Sequence, residues 1–185
     1  MSTDIPADAR RLLDFWFAPG MDQRWFAADA ALDADLAAGF RGLAESAAEG
    51  RLDHWAASPE GALALVLLLD QAPRNLWRGT ARAFATDARA RAVAAEALAR
   101  GFDRPFATVQ RQFLYLPFEH SEDLADQDRA VALFREAGDT EGVDWAERHR
   151  AVIARFGRFP HRNAALGRTS TTEELAYLAQ PSAGF

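Results

Sequence analysis

Ser58-Pro59-Glu60, followed by Ala62-Leu63-Ala64-Leu65-Val66-Leu67-Leu68-Leu69, decides the fold class. Ser58 offers a capping hydroxyl, Pro59 suits a first helical position, and Glu60 sits at the positive end of the helix dipole. The run that follows is apolar on every face of a helix, which predicts a central, buried helix rather than an amphipathic surface one. It is the longest apolar run of the chain and falls far short of the roughly 20 residues that span a bilayer, so no membrane association is expected. Pro73 is expected to end the helix.

The chain reads as helix after helix on both sides of this segment. Alanine is abundant, Val and Ile are scarce, and no strand-like alternation persists. A first helix runs from Pro6 to about Phe17 and stops at Pro19-Gly20. A second, from about Asp29 to Ala48, carries the stripe Leu32, Leu36, Phe40, Leu43 and Ala47. Thr86-Asp87 opens a helix that closes at Gly101. Another carries Val109, Phe113, Leu114 and Leu116 and ends at Pro117. Ser121 is expected to cap a helix from about Glu122 to Ala137, and the next runs from about Glu141 to Phe156 with Gly157 just past its end. Thr171 and Glu174 stand at capping-box spacing before a last short helix. No linker or composition shift divides the chain, so its 185 residues read as a single all-α domain, 1–185, of about eight or nine helices.

Composition bounds the chemistry. The net charge of −6 does not favour nucleic acid as a partner. All 21 basic side chains in the Lys plus Arg count are arginine, which excludes lysine Schiff-base chemistry and a P-loop lysine. The absence of cysteine removes thiol nucleophiles, thiolate metal sites and disulfides. Asp4 and Asp8 stand where a secretory signal would be basic and then apolar, and a cytoplasmic location is expected. No motif calls for a cofactor, and none is expected.

Three polar constellations stand out. Asp70-Gln71-Ala72-Pro73-Arg74-Asn75 with Arg78 leaves the apolar helix, and Arg74 and Arg78 share a face at i and i+4 if the turn stays helical. They form either an anion clamp or a set of helix caps paired with Asp70. In Leu116-Pro117-Phe118-Glu119-His120-Ser121-Glu122-Asp123, His120 has carboxylates on both sides. It is a candidate general acid or base with Glu119, Glu122 or Asp123, or else part of a structural histidine–carboxylate network. One histidine without metal-ligand spacing gives little ground for a metal, and none is assigned. Gln127 falls on the apolar stripe Leu124, Val131 and Phe134, so it needs a buried partner, expected to be an arginine or His120.

The densest constellation lies near the end: Arg155-Phe156-Gly157-Arg158-Phe159-Pro160-His161-Arg162-Asn163, then Gly167-Arg168-Thr169. Arginines at a helix C-terminus favour the negative dipole end, which explains one or two of these four but not all. Arg158, His161, Arg162, Asn163 and Arg168 are therefore candidate ligand-binding residues, together with Asp70, Gln71, Arg74, Asn75 and Arg78. His149 shares a stripe with Trp145, Val152 and Phe156 and reads as a core histidine. His54 has no spacing that recommends it.

These motifs resemble a bacterial family, the domain of unknown function 924. The resemblance rests on Leu69 to Asp87, Leu114 to Asp123 and Phe156 to Asn163, with Phe15-Trp16-Phe17, Arg24-Trp25-Phe26 and Asp33 near the start, and Glu173 to Leu178 and Gln180-Pro181 to Phe185 at the end. Ala72 and Leu32 depart from its pattern at packing positions. The resemblance implies a tetratricopeptide-like α-α superhelical bundle and no established activity. Three functions remain open: a binder of an anionic small molecule bearing phosphate or carboxylate, a tetratricopeptide-like protein–protein or peptide interaction module with an acidic peptide as a candidate partner, and an acid–base hydrolase using His120 and its neighbouring carboxylates.

Overall fold

A computed structural model describes residues 5–180. Asp4 and the stretch 181–185 of the family-like tail lie outside the described residues. Every regular element among those described is helical. The α-helices are α1 (Ala7–Trp16), α2 (Ala30–Ala48), α3 (Pro59–Val66), α4 (Ala72–Leu76), α5 (Asp87–Ala99), α6 (Thr108–Glu119), α7 (Leu124–Glu136), α8 (Thr140–Phe156) and α9 (Thr172–Leu178). The wider π-turn Leu67–Gln71 joins α3 to α4 without a break, so these two form one rod. Two compact units are present: residues 5–78 with 82–117, and residues 118–180 with 79–81.

In the first unit, the rod α3–α4 is the centre. Ala62 through Leu69 are all buried, and α1 and α5 pack on α3 while α2 packs on α4. Each leucine so buried contributes about 1.5–3 kcal/mol. Ser58 caps α3, its Oγ accepting the Gly61 N–H at 3.2 Å. The buried stripe of α2 is Leu32, Leu36, Phe40, Ala44 and Ala47, so the step after Phe40 is four residues rather than the three that would bury Leu43. Trp16 is fully buried, stacks on Trp25 at 6.4 Å and meets the edge of Phe113 at 5.7 Å.

Pro73 does not end the helix. It lacks the N–H that the carbonyl of Leu69, four residues earlier, would accept in an α-helix. The π-turn places the Ala72 N–H on Leu67 O instead, and the Thr86 hydroxyl donates to Leu69 O at 2.5 Å. Thr86 is thereby drawn away from its expected role and makes no side-chain cap for α5.

In the second unit, α7 and α8 pack along each other, and α9 packs on the short turn Pro160–Arg162. Val152, Ile153 and Phe159 form a core, with Phe156 and Tyr177 against it. Asp139 caps α8, and Gly157 ends it with φ of 68°, a left-handed conformation that glycine adopts without strain. Thr171 and Glu174 close a complete capping box on α9. Pro117 lies inside α6, which runs two residues further, to Glu119. The Gln127 amide holds the end of α6: its Nε2 donates to the carbonyls of Glu119 and Ser121 at 2.6 Å each, so the partners of this amide nitrogen are an α6 carbonyl and loop backbone rather than an arginine or His120.

Candidate functional site

Most of the arginines in the sequence motifs are neutralised by carboxylates. In the first unit, the guanidinium of Arg74 donates to both carboxylate oxygens of Asp87, at 3.0 and 3.1 Å, and lies 3.3 Å from the fully buried Asp70. It also donates to the Asp70 carbonyl, and Gln71 Nε2 donates to Asp70 Oδ2 at 2.6 Å. Asn75 and Arg78 both donate to Asp33, at 2.8 and 2.9 Å. The 70–78 motif thus forms ion pairs across its own unit, tying the α4 turn to α2 and α5.

In the second unit, Arg158 grips Glu174 through Nε at 2.6 Å and Nη2 at 2.9 Å, and Asn163 Nδ2 donates to Glu174 Oε2 at 3.3 Å. The Arg158 bond, seconded by the Thr171 N–H, holds the Glu174 carboxyl down at about 2. Arg168 grips Glu122 at 2.7 and 2.9 Å, and the Phe159 N–H donates to Glu122 at 2.8 Å. Burial works against the Glu122 charge, but Arg168, the Phe159 N–H and the nearby Arg162 hold its carboxyl below the usual range. These bonds join the Leu114–Asp123 and Phe156–Asn163 motifs to each other.

Two candidate proton carriers have other partners. Asp123 is the N-cap of α7, accepting the Ala125 N–H at 2.8 Å, in the place expected for Ser121. The Ser121 hydroxyl instead donates to Asp126 at 2.7 Å. Glu119, only 2% exposed, lies 3.0 Å through Oε1 from Nδ1 of His149. The helical stripe had marked His149 as core, and it is buried. What spacing did not reveal is that its partner is the last residue of α6.

The side chains that meet around this pair form the candidate site. The His149 ring contacts the rings of His120 at 6.3 Å and Phe159 at 5.8 Å. The ring of Phe159 lies 5.4 Å from that of His161, and the Arg162 guanidinium carbon stands 4.5 Å above Phe159. Arg162 is only 6% exposed, whereas His120 and His161 are half-buried. Local structure sets these positions. Gly157 turns the chain at the end of α8, Pro160 starts the short turn, and His161 and Arg162 follow on it. His120 sits just past the end of α6 that Gln127 caps.

Burial drives the His149 imidazole down to about 3, with the charges of His120, His161 and Arg162 pushing the same way and its bond to the Trp145 carbonyl opposing them. Two acceptors, Glu119 Oε1 and Trp145 O at 2.9 Å, face Nδ1, so the neutral ring carries its proton there. The cluster therefore combines the buried imidazole of His149, two half-buried imidazoles and a buried guanidinium on an aromatic face, a constellation whose donors suit an anion. Among the described residues, no group of three or more His, Asp or Glu side chains has the arrangement of a metal site, and no helix is long and apolar enough to cross a membrane.

Comparison with known proteins adds kinship without an activity. The family model described as a bacterial protein of unknown function (DUF924) matches residues 12–182. The solved structure of a protein of unknown function from Agrobacterium tumefaciens superposes with a TM-score of 0.88 at 47% sequence identity, covering 92% of this chain and 96% of that one. No curated protein matches the chain.

Proposed function

The chain belongs to the bacterial family of unknown function DUF924, and on that premise we propose that it binds an anionic small molecule, bearing phosphate or carboxylate, at His120, His161 and Arg162. One observation carries the reading. Of four histidines in the chain, three come together from separate segments around Phe159 and the buried Arg162. Imidazole and guanidinium N–H groups gathered this closely are donors of the kind that hold phosphate or carboxylate oxygens.

Arg74, Arg78, Arg158 and Arg168 support the reading less directly, because each is engaged by a carboxylate. Arg158 and Arg168 serve as a frame that fixes the loop bearing His161 and Arg162. Acid–base catalysis on the same cluster is favoured by one observation, the Glu119–His149 pair at 3.0 Å. A base held near 3 is a weak proton acceptor at neutral pH, so binding ranks first.

Thermal unfolding in low salt with phosphate, citrate and sugar phosphates tests the proposal. An anion at 100 times its Kd is expected to add about 2.7 kcal/mol. The half-buried His161→Gln variant should fold and lose most of that gain, and Arg162→Ala should lose all of it, while Arg78→Ala keeps it. Native mass spectrometry of freshly purified protein should reveal a co-purified anion. Melting curves that respond to no anion at all sink the proposal.

A further inference from the structure

Two arginine–carboxylate pairs hold the loop after α8, and their carboxylates are carried differently. Glu174 belongs to α9, closes its capping box and is buried. Glu122 lies in the irregular stretch between α6 and α7, and its side chain is 28% exposed. Its partner Arg168 also lies outside any helix. The chain on either side of Glu122 has ties of its own. Gln127 Nε2 donates to Ser121 O at 2.6 Å, the Ser121 hydroxyl donates to Asp126 at 2.7 Å, and Asp123 caps α7. None of these bonds passes through the Glu122 side chain. Its carboxylate can therefore turn out to solvent by side-chain rotation while the turn stays in place.

The groups that hold this carboxylate form a complete set of donors. Arg168 Nη1 donates to Oε2 at 2.7 Å and Nη2 to Oε1 at 2.9 Å, and the Phe159 backbone N–H donates to Oε1 at 2.8 Å. A guanidinium fork on both oxygens, seconded by a backbone N–H, is the way a protein holds a carboxylate that comes from outside. The fork has moorings besides Glu122. The Arg168 backbone N–H donates to Asn163 O at 2.8 Å, and Nη2 also reaches Phe159 O at 3.3 Å. Glu122 does not use up the guanidinium either, because Nε of Arg168 is shielded from solvent and has no acceptor. The charge of nearby Arg162 further favours a negative group at this place.

We infer that Glu122 is an internal ligand: the Arg168 fork and the Phe159 N–H form a carboxylate-binding site, which Glu122 occupies until the carboxylate of a small molecule displaces it. The site is separate from the one proposed at His120, His161 and Arg162, and its donors are those already seen gripping a carboxylate. The exchange breaks and remakes one ion pair and its hydrogen bonds, with no covalent step. A tethered group competes at high effective concentration, so Glu122 sets the threshold that an outside carboxylate must exceed.

The test titrates acetate into the full chain, with chloride keeping ionic strength constant, and follows the Phe159 amide and the Arg168 Nε–H by NMR. Glu122→Gln keeps the shape of the side chain and removes its charge. Acetate is expected to bind this variant about tenfold or more tightly than the wild type, because the tethered competitor is gone. Glu122→Ala should show the same gain, with acetate raising its melting temperature more than that of the wild type. Adding Arg168→Met to Glu122→Gln should abolish the gain, whereas adding His161→Gln, which damages the other proposed site, should leave it intact. Equal acetate affinity in wild type and Glu122→Gln overturns the inference and leaves the histidine site untouched. A gain that survives Arg168→Met, or one that vanishes with His161→Gln, places the acetate elsewhere and overturns it as well.

Discussion

Gln127 Nε2 lies 2.6 Å from the carbonyl oxygen of Glu119, at the end of a helix that Pro117 should have stopped. The same amide nitrogen reaches Ser121 O at 2.6 Å, so one buried side chain holds the turn that presents Glu119 and His120. Replacing it with leucine removes the donor and leaves buried carbonyls without it, at about 1–3 kcal/mol for such a group. Gln127→Leu is expected to lower stability by about 2–4 kcal/mol in urea denaturation. A loss under about 1 kcal/mol would mean that the turn does not depend on this amide.

Arg74 and Arg78 sit four residues apart in one motif, yet their ion pairs predict different energies. Arg74 faces the fully buried Asp70 and the nearly buried Asp87, and removing it leaves those charges uncompensated in a dry setting. Arg78 is half exposed against Asp33, where water screens the pair. Arg74→Met should therefore lose about 3–5 kcal/mol, and Arg78→Met about 0–1 kcal/mol. Equal losses in denaturant titrations would contradict the assignment of Arg74 as the buried member.

What was legible in the sequence followed how local each cause is. Ser58 with Pro59, Asp29 ahead of α2, Gly157 after α8 and the Thr171–Glu174 box all act within a few residues, and each sits at its helix end as read. The stops at Pro73 and Pro117 were misjudged because what carries the chain past them is distant: Thr86 supplies the donor for Leu69, and Gln127 holds the end of α6 at Glu119, two residues past Pro117. The same holds at the site. The crowding of Arg158, Arg162 and Arg168 was visible in one stretch of chain, but Glu122 lies 46 residues from Arg168, and no periodicity pairs Glu119 with His149. Spacing identifies the side chains that need partners. Which partners they find is decided by packing.

Acid should weaken the fold in two stages. The folded-state value of His149, about 3, lies below its ordinary 6.5, so the unfolded chain binds the extra proton first. Stability from this group is complete above about 6.5 and falls as pH drops toward 3, by up to about 1.4 kcal/mol per unit. Glu174, held at about 2 by Arg158, contributes above its ordinary 4.5 and is lost as pH falls toward 2. His149→Phe should flatten the upper stage alone, and Glu174→Gln the lower. Denaturant midpoints measured from pH 7 to pH 3 give the slopes, and an unchanged upper slope in His149→Phe would mean that His149 is not buried in its neutral form.

Gly61 and Gly157 are required for opposite reasons, and alanine at each separates close approach from backbone strain. A Cβ on Gly61 would collide with the Trp55 carbonyl oxygen and come within 2.9 Å of Ser58 Oγ, the capping atom of α3. Backbone cannot swing aside as a long side chain does, so the start of the central rod must shift. A Cβ on Gly157 meets nothing within 4 Å, but the residue has φ of +68°, which disfavours any side chain by about 1 kcal/mol. Gly61→Ala is therefore expected to lose about 3 kcal/mol, and Gly157→Ala about 1 kcal/mol, as read from thermal melts. Gly157→Ala should also weaken anion binding, because Gly157 turns the chain toward His161 and Arg162, whereas Gly61→Ala should leave the affinity of the folded fraction unchanged. The opposite pattern, with Gly61→Ala mild and Gly157→Ala severe in stability, would mean that the α8 turn, and not the approach of Trp55 to α3, is the tighter constraint on the fold.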